Sequence, residues 1–303
     1  MKNILRRLRL ASDIKKYFGL MMELGKVRIT FFVAVSTSVG YLFHSGSFDW
    51  RMPAAALGVF LLACGSSAVN HYQERSTDAI MERTKERPIP SGRISARNAL
   101  VVSVLLISAG LAIIYLSSNI TAAILGVAAL VWYNIIYTPM KRYYALAVVP
   151  GSVIGAIPPM IGWVASGGYV FDKEILALAF FFFIWQIPHF WLLLMLHGKD
   201  YEKAGFPTLT KLFSERQLGR ITFVWIASLT TSCMLIPFFN LSSSLYAVIS
   251  MLLLGSWLLW KTHGILAGYL ERILFRKAFI VINLYMLAVV LVISLDKLFS
   301  QEF

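Results

Sequence analysis

Long apolar runs separated by short polar segments make up most of the chain. An apolar run of about 20 residues is long enough to cross a bilayer as an α-helix. The pattern predicts nine such helices, at residues 28–45, 53–71, 98–117, 119–138, 144–166, 174–197, 219–239, 242–260 and 278–299. The predicted fold class is therefore an all-α polytopic membrane bundle, with residues 28–303 as a single transmembrane domain.

The first 27 residues have a different pattern, which mixes basic and apolar side chains. Residues 1–28 contain eight Lys or Arg, and apolar positions such as Leu5, Leu8 and Phe18 recur among them. A basic amphipathic helix is typical of a segment that lies on the surface of an anionic bilayer. A mitochondrial transit peptide is the alternative, and it is disfavoured because residues 1–27 contain acids and are not rich in serine.

Composition agrees with a membrane protein. The chain is 58% hydrophobic and 14% charged, whereas soluble domains are about 45–50% apolar and about 25% charged. The two cysteines, Cys64 and Cys233, both lie inside apolar runs. This placement predicts two buried packing residues rather than a disulfide or a thiolate metal site.

The basic residues fall on alternate connections. Five segments hold 25 of the 28 Lys and Arg residues, namely 1–28, 72–97, 139–143, 198–220 and 261–277. The positive-inside rule then predicts a cytoplasmic N-terminus and an external C-terminus. The net charge of +13 does not indicate nucleic-acid binding, because the basic excess follows these connections and forms no continuous face. A bacterial inner membrane is the expected location, and the short stretch before the first span makes a mitochondrial inner membrane the less favoured alternative.

A candidate metal site follows the second apolar run. Asn70, Glu74 and Asp78 stand four residues apart, and they share one face if the helix continues past the run. Mg²⁺ prefers oxygen ligands and usually binds through one or two carboxylates, water and substrate phosphate. The spacing predicts a magnesium site here, although a solvated, salt-bridged helix end explains the same pattern.

Basic side chains come shortly after these acids and could hold phosphate oxygens. They are Arg83, Lys85, Arg87 and Arg93. Pro88 and Pro90 are expected to stop any helix near Arg87, and Gly92 lets the chain turn back. Glu82 and Glu86 interleave with these bases, so we interpret them as loop partners of the arginines rather than metal ligands.

Two further segments are predicted to lie at the same end. Asp200 and Lys203, after the sixth run, are candidates for a second Mg²⁺ ligand and a diphosphate contact, and an ordinary polar loop is the alternative. Tyr137 and Lys141, at the end of the fourth run, are further candidates for contact with the diphosphate. The alternative for Lys141 is a charge that only sets topology.

Polar and helix-breaking residues also occur inside the fifth and sixth runs. The pair Pro158-Pro159 removes two helical donors, which membrane helices tolerate only where neighbours or a cavity satisfy the freed carbonyls. Gln186 and His189 lie in the sixth run, and polar groups inside a membrane are functional candidates by default. His189 is therefore a candidate substrate-binding residue, with a satisfied packing role as the alternative.

These residues resemble the UbiA superfamily of intramembrane prenyltransferases, which share an Asn-x-x-x-Asp-x-x-x-Asp motif followed by Arg-Pro and a glycine. The matching residues are Asn70, Glu74, Asp78, Arg87-Pro88 and Gly92. A narrower resemblance, to the branch that farnesylates haem, rests on motifs in the order typical of that branch. They are Met81-x-Arg83-Thr84, Tyr137-Thr138, Gly155-Ala156-x-Pro158-Pro159-x-x-Gly162-Trp163, Trp185-Gln186-x-Pro188-His189-Phe190-Trp191 and Asp200-Tyr201-x-x-Ala204-Gly205-x-Pro207.

The resemblance implies that farnesyl diphosphate is the donor, a vinyl group of haem b the acceptor, and haem O the product. Mg²⁺ would be the cofactor, with Asn70, Glu74, Asp78 and Asp200 as metal-binding and catalytic residues. Rings such as Tyr133, Tyr137 and Trp163 could stabilise a farnesyl cation. The lipid bilayer would surround the enzyme, and haem A synthase or terminal oxidase assembly proteins are candidate partners.

Two alternatives remain open from the sequence. One is a UbiA-type prenyltransferase with a quinone-type or chlorophyll-type acceptor, which the proline motifs disfavour. The other is a transporter of an anionic solute, because broken helices and charged loops suit transport as well. A transport path would need polar groups at the midplane, whereas ten of the 15 acids lie on the segments predicted to be cytoplasmic and the other five lie towards the opposite end.

The sequence departs from the family pattern at three positions. Glu74 replaces the usual first aspartate and is longer by one methylene. Thr208 stands where the haem enzymes usually have methionine, and the sequence does not explain it. Asp200 is followed by Ala204 instead of a second aspartate, so Glu202 would have to complete a second metal site.

Overall fold

A computed structural model describes residues 15–242, 244–267 and 272–299, and these residues form an all-helical bundle. Nine helices within these ranges are long and apolar enough to cross a membrane. They are α1 (Val27–Ser45), α2 (Arg51–Gln73), α3 (Ala96–Ser117), α4 (Ile120–Met140), α5 (Val148–Ala165), α6 (Lys173–Lys203), α7 (Glu215–Phe238), α8 (Leu245–Leu266) and α9 (Ile273–Phe299). The prediction of a nine-helix membrane bundle is confirmed.

The predicted basic segment is described only in part, because residues 1–14 lie outside the described ranges. Residues 15–24 are helical, and Tyr17 and Phe18 are exposed on them. Lys26 then adopts a left-handed conformation with φ 48°. This residue turns the chain from the basic helix into α1 and brings its own side chain to the end of the bundle.

Glycines allow α1 and α5 to pack in close contact. At Gly162 of α5 an added Cβ would lie 1.8 Å from the carbonyl oxygen of Thr37 in α1, and at Gly40 of α1 it would lie 1.9 Å from that of Pro159. Small residues at such crossings let membrane helices approach closely. The α1–α5 contact is therefore tight, and any side chain at either glycine would force the two helices apart.

A local break in α4 changes the direction of its aromatic side chains. Residues Trp132–Tyr137 form a π-helical turn, and such turns are frequent at functional sites. Asn134 anchors the turn to α2, because its Oδ1 accepts from Ser66 Oγ at 2.6 Å and its carbonyl accepts from Gln73 Nε2 at 2.8 Å. The result is that Tyr133 and Tyr137 both face the interior cavity described below.

Two charged segments lie at the end of the bundle where α2, α4 and α6 finish. The first charged segment is residues 70–95, and the second charged segment is residues 198–214. We call this end of the bundle the polar end. The sixth helix continues to Lys203, beyond the predicted end at residue 197, so the second charged segment begins as helix.

The condition set for Asn70, Glu74 and Asp78 to share a face, that the helix continues past the second apolar run, is not strictly met. The helix α2 ends at Gln73, Glu74 has non-helical angles, and a separate turn of helix spans Arg75–Asp78. The four-residue spacing survives because Glu74 N donates to the Asn70 carbonyl at 3.0 Å and Asp78 N to the Glu74 carbonyl at 2.7 Å. All three side chains therefore still point the same way.

Candidate active site

A cavity of about 530 Å³ extends from the polar end into the bundle. Its polar part is lined by side chains of the first charged segment together with Lys26, Lys141 and Tyr201. Its deeper part is lined mainly by apolar side chains, such as Val59, Leu62, Ile161, Phe190 and Leu193. The arrangement suits a ligand with a charged head and a long apolar tail.

Three oxygen-bearing side chains stand at the polar part of the cavity. Asn70 is 1% exposed, Glu74 is 5% exposed and Asp78 is fully buried. All three line the cavity, so the predicted grouping of these residues on one face is confirmed. Buried carboxylates need partners, and the surrounding chain supplies them.

Each of the three side chains has a basic partner from a different part of the chain. Lys26 Nζ donates to Asn70 Oδ1 at 3.1 Å, and Lys141 Nζ lies 2.6 Å from Glu74 Oε1. Arg87 donates to both carboxylate oxygens of Asp78, at 2.8 and 2.7 Å. Acids and bases alternate around one small space, and these bases could turn to phosphate oxygens when a ligand enters.

The electrostatics favour charged groups at this site despite burial. Burial is the largest single influence and opposes ionisation of Glu74, but the charge and hydrogen bond of Lys141, with the charges of Lys26 and Arg87, outweigh it and hold the pKa of Glu74 below its ordinary value. Burial is likewise the largest single influence against the charge on Lys141, but Glu74 together with Tyr137, Tyr133 and Tyr201 outweighs it, so the pKa of Lys141 is raised. Burial, followed by repulsion from Arg87, lowers the pKa of Lys26 to about 7.

The donor set fits Mg²⁺ binding together with a diphosphate. Among the described residues, no group of three or more His, Cys, Asp or Glu side chains forms a metal cage. A complete protein cage is not what Mg²⁺ requires, because it usually keeps several waters and binds one or two carboxylates plus substrate phosphates. Glu74, Asp78 and the amide oxygen of Asn70 match that requirement.

Aromatic rings line the cavity next to these charges. The rings of Tyr133 and Tyr137 stack with centroids 5.9 Å apart, and Lys141 Nζ lies 5.4 Å from the Tyr137 centroid. Both tyrosines line the cavity, as the cation-stabilising role expected for them requires. Trp163 does not line the cavity. Its Nε1 donates to Asp172 at 2.8 Å, and its ring contacts His44.

The other predicted phosphate-binding residues of the first charged segment divide into two groups. Arg83 lines the cavity and lies 3.5 Å from the Tyr201 hydroxyl. Lys85 and Arg93 do not line it: Lys85 pairs with Glu82 at 2.7 Å, and Arg93 pairs with Glu23 at 2.7 Å. Glu82 is thus a loop partner as expected, although of a lysine rather than an arginine.

The second charged segment contributes aromatic rather than acidic side chains to the cavity. Tyr201 and Phe206 line it, whereas Asp200 and Lys203 do not. The Glu202 carboxylate accepts hydrogen bonds from the hydroxyls of Thr208 at 2.8 Å and Thr210 at 2.9 Å. This gives Thr208 a role that the sequence did not reveal: it holds Glu202 within its own loop.

His189, predicted to bind substrate, lies outside the cavity lining. Its Nδ1 is 2.8 Å from Asn283 Oδ1 of α9, and its ring contacts Phe279 of the same helix. The role predicted for His189 therefore stays a prediction. Gln186, one turn earlier on α6, does line the cavity.

Sequence reasoning missed Lys26 as a site residue. It was counted only among the basic residues that set topology, yet it contacts Asn70 directly. The available signal was its position, because a lysine immediately before the first span lies at the same end as the first charged segment. Glu23 was missed for a similar reason, and it ties the basic helix to Arg93.

Comparisons with known proteins agree with this geometry. Residues 33–292 match the UbiA prenyltransferase family. A protoheme IX farnesyltransferase of Oleidesulfovibrio alaskensis is 33% identical over 92% of this chain and 96% of its own length. Those of Solibacter usitatus and Geobacter sulfurreducens are 34% and 42% identical, over 86% and 62% of this chain and 92% and 69% of their own lengths.

Solved structures share the fold at low sequence identity. One, from work on digeranylgeranylglyceryl phosphate synthase, has a TM-score of 0.76 at 17% identity and covers 94% of this chain and 99% of that chain. A UbiA homolog from Archaeoglobus fulgidus bound to GPP and Mg²⁺ has a TM-score of 0.55 at 16% identity. The match covers 91% of this chain and 99% of that chain. With the match of residues 33–292, these findings identify a multi-pass membrane enzyme: the chain belongs to the UbiA prenyltransferase family.

Proposed function

We propose that this chain transfers the farnesyl group of farnesyl diphosphate to a vinyl group of haem b, and that the product is haem O. The observation that carries the proposal is the cavity, which joins buried, alternating acids and bases to an apolar interior. A diphosphate with an isoprenoid tail has the same division between charged and apolar parts. The acceptor is inferred from the relatives, which are named protoheme IX farnesyltransferase over most of their own length.

The polar part of the cavity would hold the diphosphate. Asn70, Glu74 and Asp78 are the proposed Mg²⁺ ligands, and the metal when bound would neutralise charge on the departing diphosphate. Lys26, Lys141 and Arg87, which now contact these three side chains, would donate to diphosphate oxygens. Asp200 is proposed as the ligand of a second Mg²⁺, and Arg83 as a further contact at the mouth of the cavity.

The deeper part would hold the reacting carbons. The C–O bond of farnesyl diphosphate breaks with its electron pair leaving on the diphosphate, and the allylic carbon becomes electron-poor. Tyr133 and Tyr137 present ring faces beside the charged group, where they can stabilise this positive character. The apolar walls keep bulk water away from the allylic carbon until the haem vinyl group forms the new C–C bond.

The proposal is tested with purified protein in lipid nanodiscs, supplied with farnesyl diphosphate, haem b and Mg²⁺. We expect haem O by mass spectrometry, and we expect EDTA to abolish its formation until Mg²⁺ is restored. Failure to prenylate haem, with prenylation of an aromatic acid from the same donor, would instead assign a quinone-type acceptor. In cells that lack the protein, haem O and haem A should be lost while haem b is retained.

The proposal also places the polar end at the cytoplasmic face of a bacterial inner membrane. It is supported by the distribution of basic residues, 25 of 28 of which fall on the segments predicted to be cytoplasmic. The relatives compared above are bacterial. Both substrates would then enter from the cytoplasmic side or the bilayer, and haem A synthase or a terminal oxidase would receive the product.

A further inference from the structure

A side-chain amide lies in the otherwise apolar part of the cavity. Gln186 of α6 stands four residues before Phe190 and seven before Leu193, a spacing that puts the three on one helix face. All three line the cavity. Gln186 is therefore a polar group on a wall where an isoprenoid tail alone would need none.

The amide lacks a partner within the protein. Gln186 Oε1 is buried and without a hydrogen bond, and across the described ranges no side-chain hydrogen bond of Gln186 is found. A buried amide can donate two hydrogen bonds and accept two, and leaving them unmade is costly. Such a group calls for a partner that enters the cavity, which is a substrate atom or a water molecule.

The neighbouring helix provides space for this amide. A Cβ at Gly155 of α5 would lie 1.6 Å from Gln186 Oε1, and the three nearest atoms that it would meet all belong to Gln186. Gly155 therefore leaves room for the amide in its observed position. An alanine at residue 155 would displace the amide, because its Cβ would overlap the position of Oε1.

The amide lies just below the charged group. A Cβ at Gly151 of α5 would meet the Tyr137 ring at 2.4 Å, and Tyr137 lies next to Lys141. Gly155 is four residues further along α5, which is about 6 Å deeper at 1.5 Å per residue. Gln186 thus lies deeper in the cavity than Tyr137 and Lys141, on the side of the apolar walls that the isoprenoid and the acceptor would occupy.

We infer that the Gln186 amide holds the water molecule that hydrates the reaction intermediate. The inference rests on the proposed function, in which the haem vinyl group bonds through its terminal carbon to the farnesyl carbon that releases diphosphate. The inner vinyl carbon is left with the positive charge. The water held by Gln186 bonds through oxygen to that carbon and loses one proton to the diphosphate, which gives the hydroxyl group of haem O.

Without a held water, the neighbouring carbon of the intermediate can instead lose a proton to the diphosphate, and the C–H electron pair forms a C=C bond. The product is then an alkenyl haem that is lighter than haem O by one water molecule. The ratio of the two products reports the placement of water, and it is independent of how much enzyme folds. A residue with only a structural role would change the yield of both products together.

The test compares Gln186→Met with the wild type in nanodiscs, because methionine keeps the shape of the side chain and removes its hydrogen bonds. We expect the ratio of haem O to alkenyl haem to fall about tenfold, which corresponds to about 1.4 kcal/mol, the size of one hydrogen bond. Leu196→Met is the matched control, since Leu196 lies on the same helix outside the cavity lining. It should leave the ratio unchanged.

A second variant keeps the glutamine and moves it. In Gly155→Ala the new Cβ displaces the amide, so the same shift toward alkenyl haem is expected. Gly198→Ala is its control, because a Cβ there would meet nothing within 4 Å. If Gln186→Met fails to accumulate in membranes, Gly155→Ala decides the question alone.

The outcomes separate this inference from the proposed function. A wild-type protein that forms no prenylated haem contradicts the proposed function. A wild-type protein that forms haem O, with an unchanged product ratio in both variants, overturns only the role of Gln186. A raised KM for haem at an unchanged ratio would also overturn it, and would assign the amide to a polar substituent of the acceptor.

Discussion

The two charged segments look alike in sequence and differ in their surroundings. Each follows an apolar helix at the polar end, and each mixes acids with bases. In the first, Glu74 and Asp78 are buried and line the cavity. In the second, Asp200 is partly exposed, Lys203 is exposed, and neither lines the cavity.

The difference originates in the basic partners that each segment meets. The acids of the first charged segment meet Lys141 from the end of α4 and Arg87 from their own loop, so they are buried as ion pairs. Glu202 of the second charged segment meets threonine hydroxyls of its own loop. In the proposed function the basic partners of the first charged segment would turn to the ligand, whereas the second contributes Tyr201 and Phe206 to the cavity lining.

The largest effect is expected for Asp78→Asn. The neutral side chain removes a proposed metal ligand and half of the Arg87 ion pair, and loss of one such transition-state contact typically costs about 100-fold or more in kcat. The measurement is haem O formation at saturating farnesyl diphosphate. Glu82→Gln, which neutralises an exposed carboxylate of the same segment, is the control. If Asp78→Asn turns over within a few-fold of wild type, the first charged segment does not have the metal-binding role that distinguishes it from the second.

A second large effect is expected for Lys141→Met, on stability as well as activity. It leaves the Glu74 carboxylate buried without its main partner, and breaking a buried pair in this way costs about 3–5 kcal/mol. Adding Glu74→Gln should recover much of that stability, because the uncompensated charge is gone, but it should not recover activity. The two single variants and the double variant form a double-mutant cycle. Each is measured by thermal unfolding in detergent and by haem O formation.

A smaller effect is expected for Asp200→Asn. Asp200 does not line the cavity in the structure, so its proposed role as a second metal ligand requires movement of the end of α6. We expect a loss of about tenfold in kcat/KM for farnesyl diphosphate, in the range that removal of a supporting group costs at metal sites. A loss equal to that of Asp78→Asn would show that the two charged segments contribute equally to metal binding. An unchanged kcat/KM would leave only the first as a metal site.

The sequence predicted the helices well because apolar length is a property of each run alone. It also predicted Asn70, Glu74 and Asp78 as one group, since their spacing survives the break at Glu74. It could not predict that Lys26 contacts Asn70 or that Arg93 pairs with Glu23, because both outcomes depend on contacts between distant parts of the chain. Lys85 pairs locally with Glu82, and the sequence did not show which of its possible partners it would take. The same limit applies to Gln186, whose lack of a partner is visible only in three dimensions.

The smallest effect is expected for Thr208→Val, which tests whether Glu202 serves a metal. Valine keeps the shape of threonine and removes the hydroxyl that donates to Glu202, while Thr210 still donates to the same oxygen. Loss of one hydrogen bond costs about 0.5–1.5 kcal/mol, so we expect a small fall in the unfolding temperature and activity within about threefold of wild type. The decisive measurement is the Mg²⁺ concentration that gives half-maximal activity. If Glu202 is only a loop partner of Thr208, that concentration does not change. If it falls severalfold, weaker holding of Glu202 has made a metal ligand available, and the second charged segment contains a second metal site that its own threonines restrain.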